Sequence, residues 1–190
     1  MAGQLTIDRS YFEKLYADSS DPWNFEDSWY EQRKYDLTLA ALPEQHYQRA
    51  FEPGCSIGVL SERLASRCTE LVAMELIPSI ARQARDRLHA YPRASVAEGS
   101  IPECWPAGPF DLVVLSEVAY YLTPEGLEQA LAKLRESITV GGTVISVHYA
   151  LQTNYPLTGR EVGETLRSVP WLKEVASYSE RAFELVVLRS

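Results

Sequence analysis

Basic residues are in short supply: 18 Lys and Arg stand against 26 Asp and Glu, for a formal net charge of -8. A broad nucleic-acid groove needs clustered cations facing phosphates, so this balance argues against that class of partner. Cysteine is also scarce. Cys55, Cys68 and Cys104 are an odd number, and none lies at Cys-x-x-Cys spacing. Neither a zinc site nor a disulfide framework is indicated, no metal is expected, and a reducing cytoplasm fits. No apolar run approaches the length of a membrane span. The opening residues Met1–Asp8 have neither the basic start nor the apolar core of a signal peptide. Internal repeats and low-complexity segments are absent too.

What is present suits one domain. The chain has 190 residues, 46% of them apolar and 23% charged, enough to bury a twisted sheet. A short helix is predicted from Ser10 to about Ala17, with Ser10 as N-cap and Glu13 three residues later. Asp18–Pro22 breaks it, and a second helix runs from about Asp27 to Ala41, stopped by Pro43. This N-terminal block, residues 1–43, is rich in rings: Tyr11, Phe12, Tyr16, Trp23, Phe25, Trp29, Tyr30 and Tyr35.

Residues 44–190 alternate strand and helix patterns. Strands are expected at Tyr47–Glu52, Glu70–Glu75, Ala94–Glu98, Phe110–Ser116 and Thr143–His148. The run Phe110–Ser116 is continuously apolar apart from Asp111 and the terminal Ser116, as befits a strand buried on both faces. Helices are expected at Ile57–Arg67, at Ser79–Ala90 behind Pro78, and from Thr123-Pro124 through Leu127, Leu131, Leu134 and Ile138 to a stop at Gly141-Gly142. A last helix, roughly Arg160–Arg167, precedes two strand-like runs, Trp171–Tyr178 and Phe183–Leu188, close enough to form a hairpin. Alternation closed by an antiparallel hairpin is an α/β plan. It resembles the Rossmann-like seven-stranded sheet of S-adenosylmethionine (SAM) methyltransferases, order 3-2-1-4-5-7-6, with helices at its N-terminus as a lid.

Phe51-Glu52-Pro53-Gly54-Cys55-Ser56-Ile57-Gly58, followed by Glu75, carries the candidate site. Glycines let the backbone turn tightly and approach a ligand, and the next helix offers free N–H groups. A carboxylate at the end of the second strand accepts hydrogen bonds from both hydroxyls of a ribose. The form Glu-x-Gly-x-x-x-Gly is nearer to motif I of class I SAM methyltransferases than to the Gly-x-Gly-x-x-Gly dinucleotide fingerprint. Leu76 beside the acid, Ser100-Ile101 after the third strand and Ser116-Glu117 after the fourth fall at strand ends, where open α/β sheets bind ligands.

The chain resembles the nodulation-protein-S-like group of class I SAM methyltransferases. The stretches that carry the likeness are Tyr11–Asp36, Phe51–Ser61, Phe110–Leu122 with its Ser-Glu-Val-Ala-Tyr-Tyr-Leu ending, and Gly141–His148. The group includes N-methyltransferases acting on the free amine of de-N-acetylated chitooligosaccharides. The resemblance implies SAM as cofactor, S-adenosylhomocysteine as product and a lid packed over the cofactor. Trp23, Tyr30 and Arg33 would then join Glu52, Gly54, Cys55, Ser56, Gly58, Glu75, Leu76, Ser100, Ile101, Ser116 and Glu117 in holding it. Arg33 would pair with the methionine carboxylate. Ser56 departs from the glycine common at its position, Glu75 from the commoner Asp, and Ser100 stands where many relatives have Asp.

Methyl transfer from a sulfonium needs proximity and orientation, and a base only where the nucleophile arrives protonated. His148, Glu117 and Tyr120, with Tyr121, are the candidates for that work, and the rings could hold a cation. The expected acceptor is a small molecule, foremost an amine of an amino-sugar or natural-product intermediate. An O-methyl acceptor, a SAM-fold protein with another reaction, a non-catalytic SAM-fold subunit and a nicotinamide oxidoreductase are the alternatives. No membrane partner is expected, and the state is monomer or homodimer.

Overall fold

Helix signals open the chain. The computed structural model describes residues 6–190; the expectation of no signal peptide falls largely on residues 1–5, outside the described residues. Helix α1 spans Arg9–Asp18, and its cap is Asp8, whose side chain accepts from the Ser10 N–H at 2.8 Å. The expected cap, Ser10, lies inside the helix, because the acceptor-only carboxylate two residues earlier takes the free amide. Helix α2 spans Trp29–Ala41 behind Ser28, two residues later than expected.

Then follow β1 (Tyr47–Pro53), α3 (Val59–Ala65), β2 (Cys68–Glu75), α4 (Pro78–Arg87), β3 (Ala94–Glu98), β4 (Phe110–Ser116), α5 (Pro124–Ser137), β5 (Ile138–Tyr149), α6 (Gly159–Ser168), β6 (Lys173–Ser179) and β7 (Phe183–Arg189). The seven strands are ordered β3-β2-β1-β4-β5-β7-β6, the class I methyltransferase order. Among the described residues no helix is long and apolar enough to cross a membrane.

The chain divides into two compact units, the first being Asp8–Ser100. It holds α1, α2 and the parallel strands β1, β2 and β3, with Phe51 opposite Val72 and Ala73 opposite Val96. The N-terminal helices therefore share a unit with the first three strands. Under β2 lies a core of Cys55, Ala73, Ala81, Ala84, Leu88 and Val96. Its small side chains bring α4 close to the turn after β1: a Cβ on Gly58 would sit 3.2 Å from Ala84. Gly58 adopts φ 82 and caps α3, which is why that helix is shorter than Ile57–Arg67. Helix α4 likewise ends early, at Arg87, and a 3-10 turn Leu88–Ala90 completes the expected span.

The second unit comprises Ile101–Ser190 with Thr6 and Ile7. Strands β4 and β5 are parallel; β5 with β7 and β7 with β6 are antiparallel. Phe110, Leu112, Val113 and Val114 are wholly buried, as are Phe183, Val187 and Leu188, each large one contributing roughly 1.5–3 kcal/mol. Two expectations fail at the start of β5. Ile138 leaves the helix with φ -80 and ψ 140 and pairs with Phe110. The Gly141-Gly142 pair lies inside β5, where the register jumps from Phe110↔Ile138 to Leu112↔Thr143. On the far side, β6 is exposed along its whole length, and its register with β7 breaks between Glu174 and Ala176.

Candidate functional site

The first unit assembles its polar groups around the turn Gly54–Gly58. Gly54 has φ 72, Ser56 φ 49 and Gly58 φ 82, so three of five residues are left-handed. Ser56 sits in that region despite its side chain, where glycine is ordinarily at home. The Cys55 N–H donates to the Met74 carbonyl at 2.9 Å, tying the turn to β2. The Cys55 thiol is buried, and burial pushes its pKa well up, so it stays protonated.

Glu75 closes the turn. Its Oε2 accepts from the Ser56 N–H at 3.0 Å and its Oε1 from the Ile77 N–H at 2.9 Å. It is 6% exposed; burial raises its pKa, against the pull of those backbone bonds. The Leu76 amide acts on the same carboxylate, which has about four lone-pair positions. Acceptor capacity remains, and an acceptor-only group fits the hydroxyls of a ribose. Glu52, at the end of β1, is 3% exposed and accepts from Ser61 Oγ at 2.5 Å. Leu76 is half-buried next to Glu75, and Ser100 is half-buried after β3.

The ring-rich N-terminal block meets this turn directly. Tyr16 Oη and Ser56 Oγ are 2.7 Å apart. Trp23 stands edge-on to Tyr16 at 5.6 Å and stacks with Phe25 at 5.4 Å. Arg87 donates to the Ile57 carbonyl at 2.9 Å and pairs with Glu26 and Glu62, joining the loop before α2 to the same turn. Tyr16 and Arg87 were not anticipated, since no local pattern marks a contact across 40 residues. Tyr30 and Arg33 share a face of α2, but the Arg33 guanidinium lies over Trp29 at 5.8 Å and the Tyr30 ring receives Lys34 Nζ at 5.0 Å. Lys34 itself is 2% exposed and bonds Glu31 at 2.9 Å.

The second unit holds another polar cluster, at the ends of β4 and β5. Half-buried Ser116 ends β4, and Glu117 follows with φ 51. The Glu117 N–H donates to the Val147 carbonyl at 2.8 Å. Glu117 Oε2 accepts from Tyr120 Oη at 2.6 Å and from the Tyr149 N–H at 3.0 Å. Burial, reinforced by the Glu117 charge, raises the Tyr120 pKa far above its usual range, so it is a donor and not a base. Tyr155 stacks on Tyr120 at 4.9 Å and meets Tyr121 edge-on at 4.6 Å, a partner the sequence did not point to. Ile101 is buried, 3% exposed.

His148, expected as a candidate base, is 1% exposed with both ring nitrogens engaged. Nε2 accepts from the Ala119 N–H at 3.1 Å, and Nδ1 is 3.0 Å from Ser146 Oγ. A base needs a lone pair within reach of its proton, and this ring has committed its own to the backbone. Among the described residues no group of three or more His, Cys, Asp or Glu could hold a metal ion.

Known proteins resemble this chain. The family model described as Nodulation protein S (NodS) matches residues 9–147. Nodulation protein S of Rhizobium tropici is 27% identical over 134 residues, 70% of this chain and 56% of the relative. That of Bradyrhizobium diazoefficiens is 31% identical over 54% of this chain and 49% of the relative. The chain thus spans about half the length of the curated relatives it matches. A crystal structure from Pseudomonas syringae, assigned as a methyltransferase, is 36% identical at TM-score 0.77, covering 86% of this chain and 100% of that one. N-methyltransferase NodS from Bradyrhizobium japonicum WM9, in complex with S-adenosyl-L-homocysteine, shares the fold at TM-score 0.84 and 24% identity, over 95% of this chain and 96% of that one. The match over 9–147 takes in the ring-rich helices, the glycine turn with its acid, and Glu117 with Tyr120 and Tyr121, and this chain belongs to the nodulation protein S family.

Proposed function

We propose that this protein is a SAM-dependent methyltransferase acting on a small molecule, with an amine as the favoured acceptor. The observation that carries the reading is Glu75, a buried acceptor fixed by backbone amides at the end of β2 beside the glycine turn. In this reading Glu75 holds the ribose, Gly54, Cys55, Ser56 and Gly58 give the backbone its close approach, and Glu52 adjoins the turn from β1. Leu76 and Ser100 border the adenosine, and Trp23, Tyr30 and Arg33 cover it. When bound, SAM supplies a sulfonium-activated methyl group.

Glu117 is proposed as the group that meets the acceptor. A carboxylate fixed by Tyr120 and the Tyr149 amide orients an ammonium and takes its proton, which favours nitrogen over a neutral hydroxyl. The B. japonicum relative is named as an N-methyltransferase, in keeping with this choice. Free thiols at Cys55, Cys68 and Cys104 suit a cytoplasmic setting, and the acidic balance suits a monomer or homodimer without nucleic acid.

Calorimetry with SAM, S-adenosylhomocysteine and NAD tests the cofactor. Binding of the first two and not of NAD is expected; a folded protein that ignores SAM refutes the reading. Mass spectrometry with SAM and a panel of amino-sugars, polyols and phenols tests the acceptor. Gain of one methyl on the amino-sugars is expected, and gain on the hydroxyl compounds alone overturns the preference for nitrogen.

A further inference from the structure

We infer that His148 is the positioning residue that fixes the Glu117 turn, working through its neutral imidazole as a hydrogen-bond acceptor. The inference rests on the proposed role of Glu117 at the acceptor. Three successive residues of β5 hold the turn. The Val147 carbonyl takes the Glu117 N–H at 2.8 Å, His148 Nε2 takes the Ala119 N–H at 3.1 Å, and the Tyr149 N–H reaches Glu117 Oε2 at 3.0 Å.

A backbone amide only donates, so Nε2 must carry the lone pair and the ring proton sits on Nδ1. That proton is donated to Ser146 Oγ, 3.0 Å away. The ring stands edge-on to Tyr120 at 5.1 Å, and Tyr120 donates to Glu117 at 2.6 Å. His148 thus contacts the Ala119 amide and the Tyr120 ring, the second of which orients the carboxylate, and is itself buried. Helix α6 presses on it from its first residue: a Cβ on Gly159 would lie 2.9 Å from His148 Cβ. Glu117 needs such support, because φ 51 is unfavourable for a side chain of its size. Without the acceptor the Ala119 amide is buried and unpaired, and the turn relaxes toward ordinary geometry. A displacement of about 1 Å at a reacting group costs about 100-fold in rate.

His148→Leu and His148→Gln separate positioning from proton transfer. The Gln amide oxygen reaches the place of Nε2 and accepts from Ala119, but cannot serve as a base near neutrality. With an amino-sugar acceptor, His148→Leu is expected to lower kcat about 100-fold and to raise the acceptor KM, with SAM affinity by calorimetry unchanged. His148→Gln is expected to recover most of that loss. A Gln variant as slow as the Leu variant overturns the inference, because the imidazole would then be moving the proton. Nitrogen-15 NMR of histidine-labelled wild-type protein gives a second reading that needs neither acceptor nor variant. A neutral ring protonated on Nδ1 is expected, and a ring protonated on Nε2 overturns the assignment. Absence of methyl transfer by the wild type would count against the proposed function, while the tautomer still decides this inference.

Discussion

Replacing Glu52 by Gln should stabilise the protein, and by more as the pH rises. The carboxyl group is 3% exposed. Burial pushes its pKa from 4.5 up to about 7, and the Ser61 hydrogen bond offsets only part of that rise. The folded state therefore favours the neutral acid. Its contribution is fully present below pH 4.5 and is lost as the pH rises through about 7. The full shift corresponds to about 3 kcal/mol; about 1 kcal/mol of it is gone at pH 5 and essentially all by pH 8. Glutamine keeps an oxygen for Ser61 and never ionises, so it escapes the loss. Urea unfolding at pH 5 and pH 8 should show the gap between variant and wild type widening by about 2 kcal/mol, a midpoint difference of roughly 1 M. A gap independent of pH, or a variant less stable than wild type at pH 8, would refute a buried, neutral-favouring Glu52.

Glu75→Ala removes the acceptor for two amides and, in the proposed reading, two charge-assisted bonds to ribose, so SAM affinity should fall at least about 100-fold; calorimetry on a folded variant that still binds at full strength would remove the ribose role. Gly58→Ala forces a side chain to φ 82 and against Ala84 at 3.2 Å, which should cost about 1–2 kcal/mol in thermal melts, and an unchanged melting temperature would show the turn to be looser than described. Thr158 caps α6 in a reciprocal pair with Glu161; Thr158→Ala should cost about 1 kcal/mol in urea midpoint with no change of slope, and a changed slope would mean that more than the cap had been lost.

Strong local signals were legible in the sequence. Phe110–Ser116 reads as a buried strand because its apolar run has no solvent face, and Thr123-Pro124 marks the start of α5 through cap chemistry. The glycine turn and Glu75 declare themselves by spacing. The end of α5 did not, because Leu127, Leu131 and Leu134 continue in helical rhythm to Ile138 while pairing with Phe110 pulls that residue into β5. Side-chain roles were harder still. Spacing puts His148 near the right strand end, but only the fold reveals that Ala119 and Ser146 have claimed both nitrogens. Tyr16 and Tyr155 acquire their meaning from partners distant in sequence, which periodicity does not encode.

The break in pairing at Val175 has a bearing on solubility. An outermost strand offers unpaired amides and carbonyls to any passing chain, and this one is open to water throughout. The irregularity between Glu174 and Ala176 interrupts that ladder midway, and Lys173 and Glu174 set charges at its start. A neighbour trying to zip along this rim meets ionic side chains and then a kink, so the sheet can end here without recruiting an eighth member.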